Sequence, residues 1–519
     1  MSENSWMVPF LGSKENAKYA TQTGVVCGCR MSQIMSEEEF AISRWPDSEE
    51  ILAKLDRLVK LPMRPITRRQ MAVYLEHLEN ACSGSKRLHE EARKYIPGGV
   101  QHNLAFNYPF PIAISKAEGP YLWDVDGNRY VDFLQAGGPT LLGNNYPPLQ
   151  EKVFELVREC APVTGLFNEY ELKLAKLINR HMPSVELFRM LGSGTESVMA
   201  AIRAARTFTD KARIVKVGGA YHGWSDQMVY GLHIPGTGAM EAFGIPGGCL
   251  KGTDEVFPND IDGPKGLRAL LEKNQKKGGT AAVIVEPLGP ECGTRPVTRD
   301  YNRRVREACN EFDSLLIFDE VVTGFRVGLG GAQGYFNVKP DLTVFGKCVA
   351  GGYPAAGGLG GRRDIMSCLS AGVETGKPRA YVGGTLSANP LSCAAGYYSI
   401  LEIEKTNAHI KAGLAGDRVT DGLQEIIAKY GLPFVAFNHG SICHLETSGV
   451  MLLDMSDPKA LTESGPRKQM MEEMGAAFEA EGIITLAGSR LYTSMADTDE
   501  VIDAALQGFD HVFRNIEAV

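Results

Sequence analysis

Two acids and a lysine give the first chemical signal. In the stretch 315–347, LLIFDEVVTGFRVGLGGAQGYFNVKPDLTVFGK, a short apolar run ends in Asp319 and Glu320. A second apolar run, after Pro340 and Asp341, stops at Lys347, 28 positions beyond Asp319. Apolar strands that finish in a charged residue set that residue at the carboxyl edge of a buried parallel sheet, where open α/β folds bind ligands. An acid and a lysine at neighbouring strand ends suit pyridoxal phosphate chemistry. The lysine amine forms a Schiff base with the cofactor aldehyde, and the acid pairs with the protonated pyridine nitrogen and keeps the ring an electron sink. Taken singly, the Asp-Glu pair reads as a solvated strand end and the Gly-Lys as a turn with a surface lysine.

Other elements are patterned to hold such a ligand. Leu191-Gly192-Ser193-Gly194-Thr195 opens a helix that continues through Val198, Ile202 and Ala205 to Phe208. Small residues before a helix let backbone N–H groups and hydroxyls approach a phosphate at the positive end of the helix dipole. Residues 213–217 read as a strand running into GGAYHG at 218–223, and 282–285 as a buried strand ending in Glu286 and Pro287. The Gly-rich run 235–248 reads as a mobile loop over the site.

Composition narrows the partners. At 519 residues, 44% hydrophobic and 22% charged, the chain fits a globular protein with more than one domain. A net charge of −8 without blocks of like charge argues against nucleic acid and anionic membrane as partners. No apolar run approaches the roughly 20 residues of a spanning helix, and MSENSWMVPF lacks a secretion pattern, so the expected location is cytoplasmic. Eleven cysteines, an odd count, point to reduced thiols. Cys27-Gly28-Cys29 has no second pair to complete a metal site, so no metal is expected.

Residues 1–46 show little periodicity. Helices are expected over 47–61, over 67–81 behind a capping Thr67, and over 85–95, where Pro97-Gly98-Gly99 ends the run. Residues 118–133 read as a β-hairpin turning at Asp126-Gly127-Asn128.

DEVVTGFR, PDLTVFGK and GGYPAAGGLGG, together with LGSGTES, GGAYHG and GGTLSANP, resemble the class-III aminotransferases of pyridoxal phosphate fold type I, most closely the glutamate-1-semialdehyde aminomutase branch. The resemblance runs from about Tyr95 to the C-terminus. It implies an α/β fold: a large domain with a mostly parallel mixed sheet flanked by helices, plus a smaller α+β domain from both chain ends. The expected division is an N-terminal extension, partly helical, over 1–90; the N-terminal part of the small domain over 91–150; a large cofactor-binding domain over 151–405; and a C-terminal small domain over 406–519. It implies pyridoxal 5'-phosphate as cofactor, with Ser193, Gly194 and Thr195 at the phosphate and Tyr221 stacked on the ring. Val321 would pack on the opposite ring face, and Glu286 would line the pocket and steady its neighbours. His222 also matches the family motif. Lys347 is the implied Schiff-base lysine and proton carrier, and Asp319 the partner of the ring nitrogen. Thr385 would reach the phosphate of the neighbouring subunit's site, making a homodimer, and the 235–248 loop would be a lid.

The substrate does not follow from the resemblance. Where the aminomutase branch brings an arginine to the substrate carboxylate, this chain reads VQHNLAF, with Ala105 at the arginine's place; Ser489 falls where that branch has an acid. A carboxylate would then meet Arg490 or Arg326, and His102 is a further substrate contact. The preferred expectation is an aminotransferase acting between an amino acid, β-amino acid or amine donor and a keto acid or aldehyde acceptor. The alternative is a glutamate-1-semialdehyde-type 2,1-aminomutase or a related isomerase or racemase. A silent scaffold is set aside because the Ser193-Gly194-Thr195, Tyr221, Asp319 and Lys347 set is intact.

Overall fold

Runs of four to six residues, most of them apolar, build the largest sheet. The computed structural model describes residues 39–517 apart from 106, 161–162, 373–377 and 456–457. The sheet has seven strands in the order Leu187–Leu191, Gly357–Gly361, Leu342–Gly346, Leu315–Asp319, Thr280–Val285, Arg213–Val217, Thr253–Val256. Gly357–Gly361 runs antiparallel to both of its neighbours, and the remaining pairings are parallel. In the central strands TAAVIV, LLIFD and LTVFG every residue is buried. Such strands are continuous in apolar side chains because helices cover both faces of the sheet. Alternate side chains serve opposite cores. Ala282, Ile284, Ile317 and Val344 pack with Val198 and Ile202 of the helix Gly194–Thr209. Val283, Val285, Leu316 and Phe318 pack with Leu267, Leu271 and Val305 of the helices Leu267–Gln275 and Tyr301–Glu311.

Gly357–Gly361 has four glycines in five residues for a packing reason. A Cβ on Gly357 would strike the backbone of Ser193, one on Gly358 the Phe188 ring, and one on Gly360 the Val185 side chain. The bare strand thus lets the turn that enters the helix Gly194–Thr209 sit directly on the sheet edge.

Two smaller sheets lie outside this layer. One orders Ile114–Glu118, Tyr121–Asp124, Arg129–Asp132 and Ile483–Ile484. Its middle pair is the expected hairpin, with Asp124 Oδ1 accepting the N–H groups of Asp126 and Asn128 across the turn. The other orders Val435–His439, Ile442–Glu446 and Arg490–Tyr492.

The three expected N-terminal helices form as Ser48–Lys60, Arg68–Ala81 and Ser83–Ala92. Asp47 caps the first by accepting from Glu49 and Glu50. Thr67 precedes the second without a side-chain cap bond, a correction to the expected capping role. The third starts and ends earlier than its periodicity suggests, at Ser83 and Ala92. The first two are not appended to the outside. Leu58, Met71, Tyr74 and Leu78 share one core with Val419, Leu423, Phe478 and Phe509. Ahead of them, Phe40 to Ile42 are buried, with the Ala41 N–H donating to the Val327 carbonyl. Glycines make their bed. A Cβ on Gly413 or Gly440 would strike the Ala41 carbonyl, and one on Gly328 the Phe40 ring.

The helix Pro390–Thr406 packs on the turn Lys347–Ala350, and Gly396 is the contact point: a Cβ there would overlap the Val349 carbonyl. Gly396→Ala is therefore expected to destabilise the fold by roughly 1–3 kcal/mol, the usual cost of overpacking a tight interior. Calorimetric or denaturant unfolding checks this, and an unchanged midpoint would refute the packing account. Among the described residues no helix is long and apolar enough to cross a membrane, no group of three or more His, Cys, Asp or Glu gathers as a metal site, and the cysteines are free. Cys27 and Cys29 lie outside the described residues.

Candidate active site

Residues that follow the strands Leu187–Leu191, Arg213–Val217, Leu315–Asp319 and Leu342–Gly346 line one cavity of about 690 Å³. Asp319 ends its strand opposite Val344, which leaves Gly346 and Lys347 beyond the ladder. Lys347 takes a positive φ of 48°, and this conformation turns the chain sharply as it leaves the sheet. Asp319, Lys347, Tyr221, Val321 and the Ser193-Gly194-Thr195 turn all line the cavity, as does His102.

Burial is the main cause that lowers the Lys347 amine below the usual lysine range, with the guanidinium groups of Arg490 and Arg326 acting in the same direction. An amine so placed loses its proton more readily than a surface lysine and can serve as nucleophile or base. Asp319 is 6% exposed. Its Oδ2 lies 2.8 Å from His222 Nδ1, and its Oδ1 accepts the Val321 N–H at 3.0 Å. Burial lowers His222, so the imidazole is neutral and donates through Nδ1, while its buried Nε2 has no partner. The result is a carboxylate held in place by neutral donors. Its charge is left for an incoming cation.

Elsewhere in the lining, Ser193 caps the helix Gly194–Thr209, its Oγ accepting from the Glu196 N–H at 3.2 Å. Gly194 and Thr195, the first helical residues, present N–H groups with no acceptor inside the helix. Close approach is built in. A Cβ on Gly194 would press on Val321, and one on Gly223 would strike the Thr195 side chain. Tyr221 is 46% exposed, so its ring has a face to offer the cavity, and it stacks on His233 at 6.0 Å with 14° between planes.

Glu286 stands behind the cavity lining. Its carboxylate accepts the N–H groups of Tyr221 (2.9 Å), Glu291 (3.0 Å) and Cys292 (2.8 Å). Burial first, then Glu291 and Asp319, pushes it up to about 8. Glu320 does similar work for the following loop, accepting from Thr323, Ala332 and Gln333.

The candidate substrate contacts separate. His102 is exposed on the cavity rim, with Nδ1 accepting the Leu104 N–H. Arg326 is fully buried, and its guanidinium donates to the Gly138 and Thr493 carbonyls and to Ser441 Oγ. Its donors are used in structure, which corrects its place among the carboxylate partners. Arg490, at the start of Arg490–Tyr492, pairs with Glu291 at 3.1 Å and Thr294 at 3.3 Å. Glu291 also meets His233 Nδ1 at 2.6 Å. Burial raises the Glu291 carboxyl, but His233 and Arg490 outweigh it and hold it at about 2. Thr385 lies away from Lys347, exposed on a separate cavity of about 670 Å³ lined by Glu171 and Arg189. Sequence reasoning missed Glu291 and His233. Glu291 follows a Gly-Pro turn that carries no signal of its own, and His233 is a lone histidine ahead of a glycine-rich run.

Residues 104–513 match the family model for aminotransferase class-III. The chain belongs to the class-III aminotransferase family. It is 38% identical to glutamate-1-semialdehyde 2,1-aminomutase 1 of Lachnoclostridium phytofermentans over 382 residues, 72% of this chain and 87% of the relative. Among solved structures it is similar to an omega-transaminase from Sphaerobacter thermophilus, with a TM-score of 0.73 and 27% identity over 84% of this chain and 99% of that one. A transaminase with PLP bound gives a TM-score of 0.74 at 25% identity, covering 83% and 97%. The cofactor of this class-III enzyme is pyridoxal 5'-phosphate. The chain's residues fit it. Free N–H groups and close-packing glycines offer a phosphate cradle, a buried carboxylate lacks a cationic partner, and a buried amine faces the same cavity.

Proposed function

We propose that the chain is an aminotransferase that moves an amino group from an amino acid, β-amino acid or amine donor to a keto acid or aldehyde acceptor. Lys347 would hold the cofactor through its amine, Asp319 its ring nitrogen, and Ser193, Gly194 and Thr195 its phosphate. Tyr221 and Val321 would pack against the ring. When bound, pyridoxal phosphate supplies an aldehyde carbon that takes amino groups and a ring that accepts electrons. The chain does the rest. Lys347 Nζ would take a proton from the amine-bearing carbon of the substrate and hold it as its ammonium until it is passed on, a task its lowered basicity suits. His222 would keep Asp319 oriented. Glu286 fixes the Tyr221 backbone.

The observation that carries the reading is the Glu291–Arg490 pair. An aminotransferase must admit two different substrates in turn to one pocket. A guanidinium already neutralised by an internal carboxylate suits that need. It can be left paired when a donor lacks a carboxylate and can exchange Glu291 for the substrate's carboxylate when one arrives. The absence of an arginine at Ala105 and of an acid at Ser489 also favours this reading. The aminomutase reading is supported by the 38% identical relative named above.

The family's two-domain division is proposed with it, 151–405 as the large domain and 406–519 with 91–150 as the small one, and so is a homodimer. Leu166, Phe167, Tyr381 and Leu386 are between 56% and 88% exposed, an apolar surface suited to a second copy that would receive Thr385.

The test is a visible spectrum of the cofactor-loaded protein during titration with amines and no keto acceptor. Loss of the yellow band with release of a keto or aldehyde product is expected. Conversion of an added amine only to its isomer would replace this reading by the mutase.

A further inference from the structure

One member of the chain of contacts that runs from Tyr221 through Glu291 to Arg490 has no role assigned above: His233. His233 has a positive φ of 60° and stands just ahead of the glycine-rich run. Its ring lies parallel to that of Tyr221, its Nδ1 meets Glu291 Oε1, and its Nε2 stands 4.0 Å from Glu241. Glu291, at a φ of 54°, gives its other oxygen, Oε2, to Arg490. Its backbone N–H is tied to Glu286 Oε1, the same oxygen that holds the Tyr221 N–H. The carboxylate therefore sits on a fixed turn between two basic partners, one on each oxygen.

We propose that His233 is a positioning residue that retains Glu291 when a substrate carboxylate takes Arg490, and so sets how well the site accepts carboxylate-bearing substrates. This rests on the reading of Arg490 as carboxylate receptor. The physical argument is charge balance. If Glu291 had Arg490 as its sole partner, a substrate carboxylate would leave it buried and unpaired, which is strongly unfavourable. With His233 protonated, the displaced charge keeps a partner 2.6 Å away. The groups facing His233 are Glu291 and Glu241, which favour its protonated form, and Lys216, which opposes it along with burial; the balance raises the imidazole above its usual range. Tyr221 covers one ring face. Acidification through the His233 titration should accordingly tighten carboxylate binding.

The experiment is calorimetric titration of the cofactor-loaded protein with butyrate, a carboxylate that has no amine to react. It is run across pH 5.5–8.5 on the wild type, Arg490→Gln, His233→Phe, Glu291→Gln and the double variant of His233 and Glu291. Phenylalanine retains the stacking on Tyr221 and removes the hydrogen bond. Expected are at least tenfold weaker binding in His233→Phe with the acid-side tightening gone, and tighter binding in Glu291→Gln. In the Glu291→Gln background the His233 substitution should have no further effect, the signature of a shared pair. Equal affinity and equal pH dependence in wild type and His233→Phe would overturn the role of His233 while leaving Arg490 as receptor. No butyrate binding to the wild type, or none lost in Arg490→Gln, would overturn the receptor reading and this inference with it. Neither result would bear on the amine half-reaction, which is measured separately by the visible band.

Discussion

Lys347→Ala should end turnover while leaving the fold intact. The amine is buried and lines the cavity with Asp319, and its removal would delete both the proposed attachment and the proposed proton carrier. Loss of positioned proton transfer alone costs on the order of 10²–10⁴-fold, and the missing attachment adds to it. The fold should hold because alanine removes a buried amine without creating a polar vacancy, and because the positive φ at this position is no harder for alanine than for lysine. Single-turnover kinetics with an amine donor give the first measurement and thermal unfolding the second. A rate within tenfold of wild type would refute the assignment. Partial recovery of proton transfer with added small primary amines would support it, because a free amine can occupy the space the side chain leaves.

Asp319→Asn carries the second largest expected effect. The substitution keeps shape and removes charge at a buried point whose present neighbours are a neutral imidazole and one N–H group. Nothing among these neighbours replaces the lost charge opposite a protonated ring nitrogen. A fall in kcat of roughly 10²–10³-fold is expected, as for removal of one preorganised electrostatic partner elsewhere. The phosphate cradle proposed at Ser193 to Thr195 is a separate part of the cavity lining, so cofactor should still be retained after gel filtration, with an altered visible band. A variant that lost the cofactor altogether would show Asp319 to be an anchor rather than an electronic partner. A near-normal rate would remove it from the chemistry.

The parts legible in the sequence were those with strong local patterning. LLIFD and LTVFG are apolar along their whole length, which is what a doubly covered parallel strand looks like, and their charged ends fall at the sheet edge as the pattern implies. The Gly-Ser-Gly-Thr turn could be read because a helix start carries its own signals. The fate of the arginines could not. Arg326 and Arg490 are alike on paper, yet one is saturated by carbonyls far apart in the chain and the other shares a carboxylate with a histidine. Arg326 reaches Thr493 167 positions away and Arg490 reaches Glu291 199 positions away, and no periodicity records such pairings. The same holds for residues 48–82. Their amphipathic spacing predicts helices, but only packing reveals that they complete a core with residues beyond 415.

The bed beneath Phe40 and Ala41 has a consequence for the order in which the molecule can form. Its floor is assembled from Gly328, Gly413 and Gly440, which come from three separate regions of the chain, and Ala41 is fastened to Val327. During synthesis, the segment at 39–42 must wait for some four hundred later residues before its seat exists. Closing so long a loop is slow relative to local helix formation. Until then Phe40 and Ile42 stay exposed to solvent and to other chains. The stretch would behave as a late latch, and the period before it closes is when a nascent copy is most open to chaperone capture or aggregation.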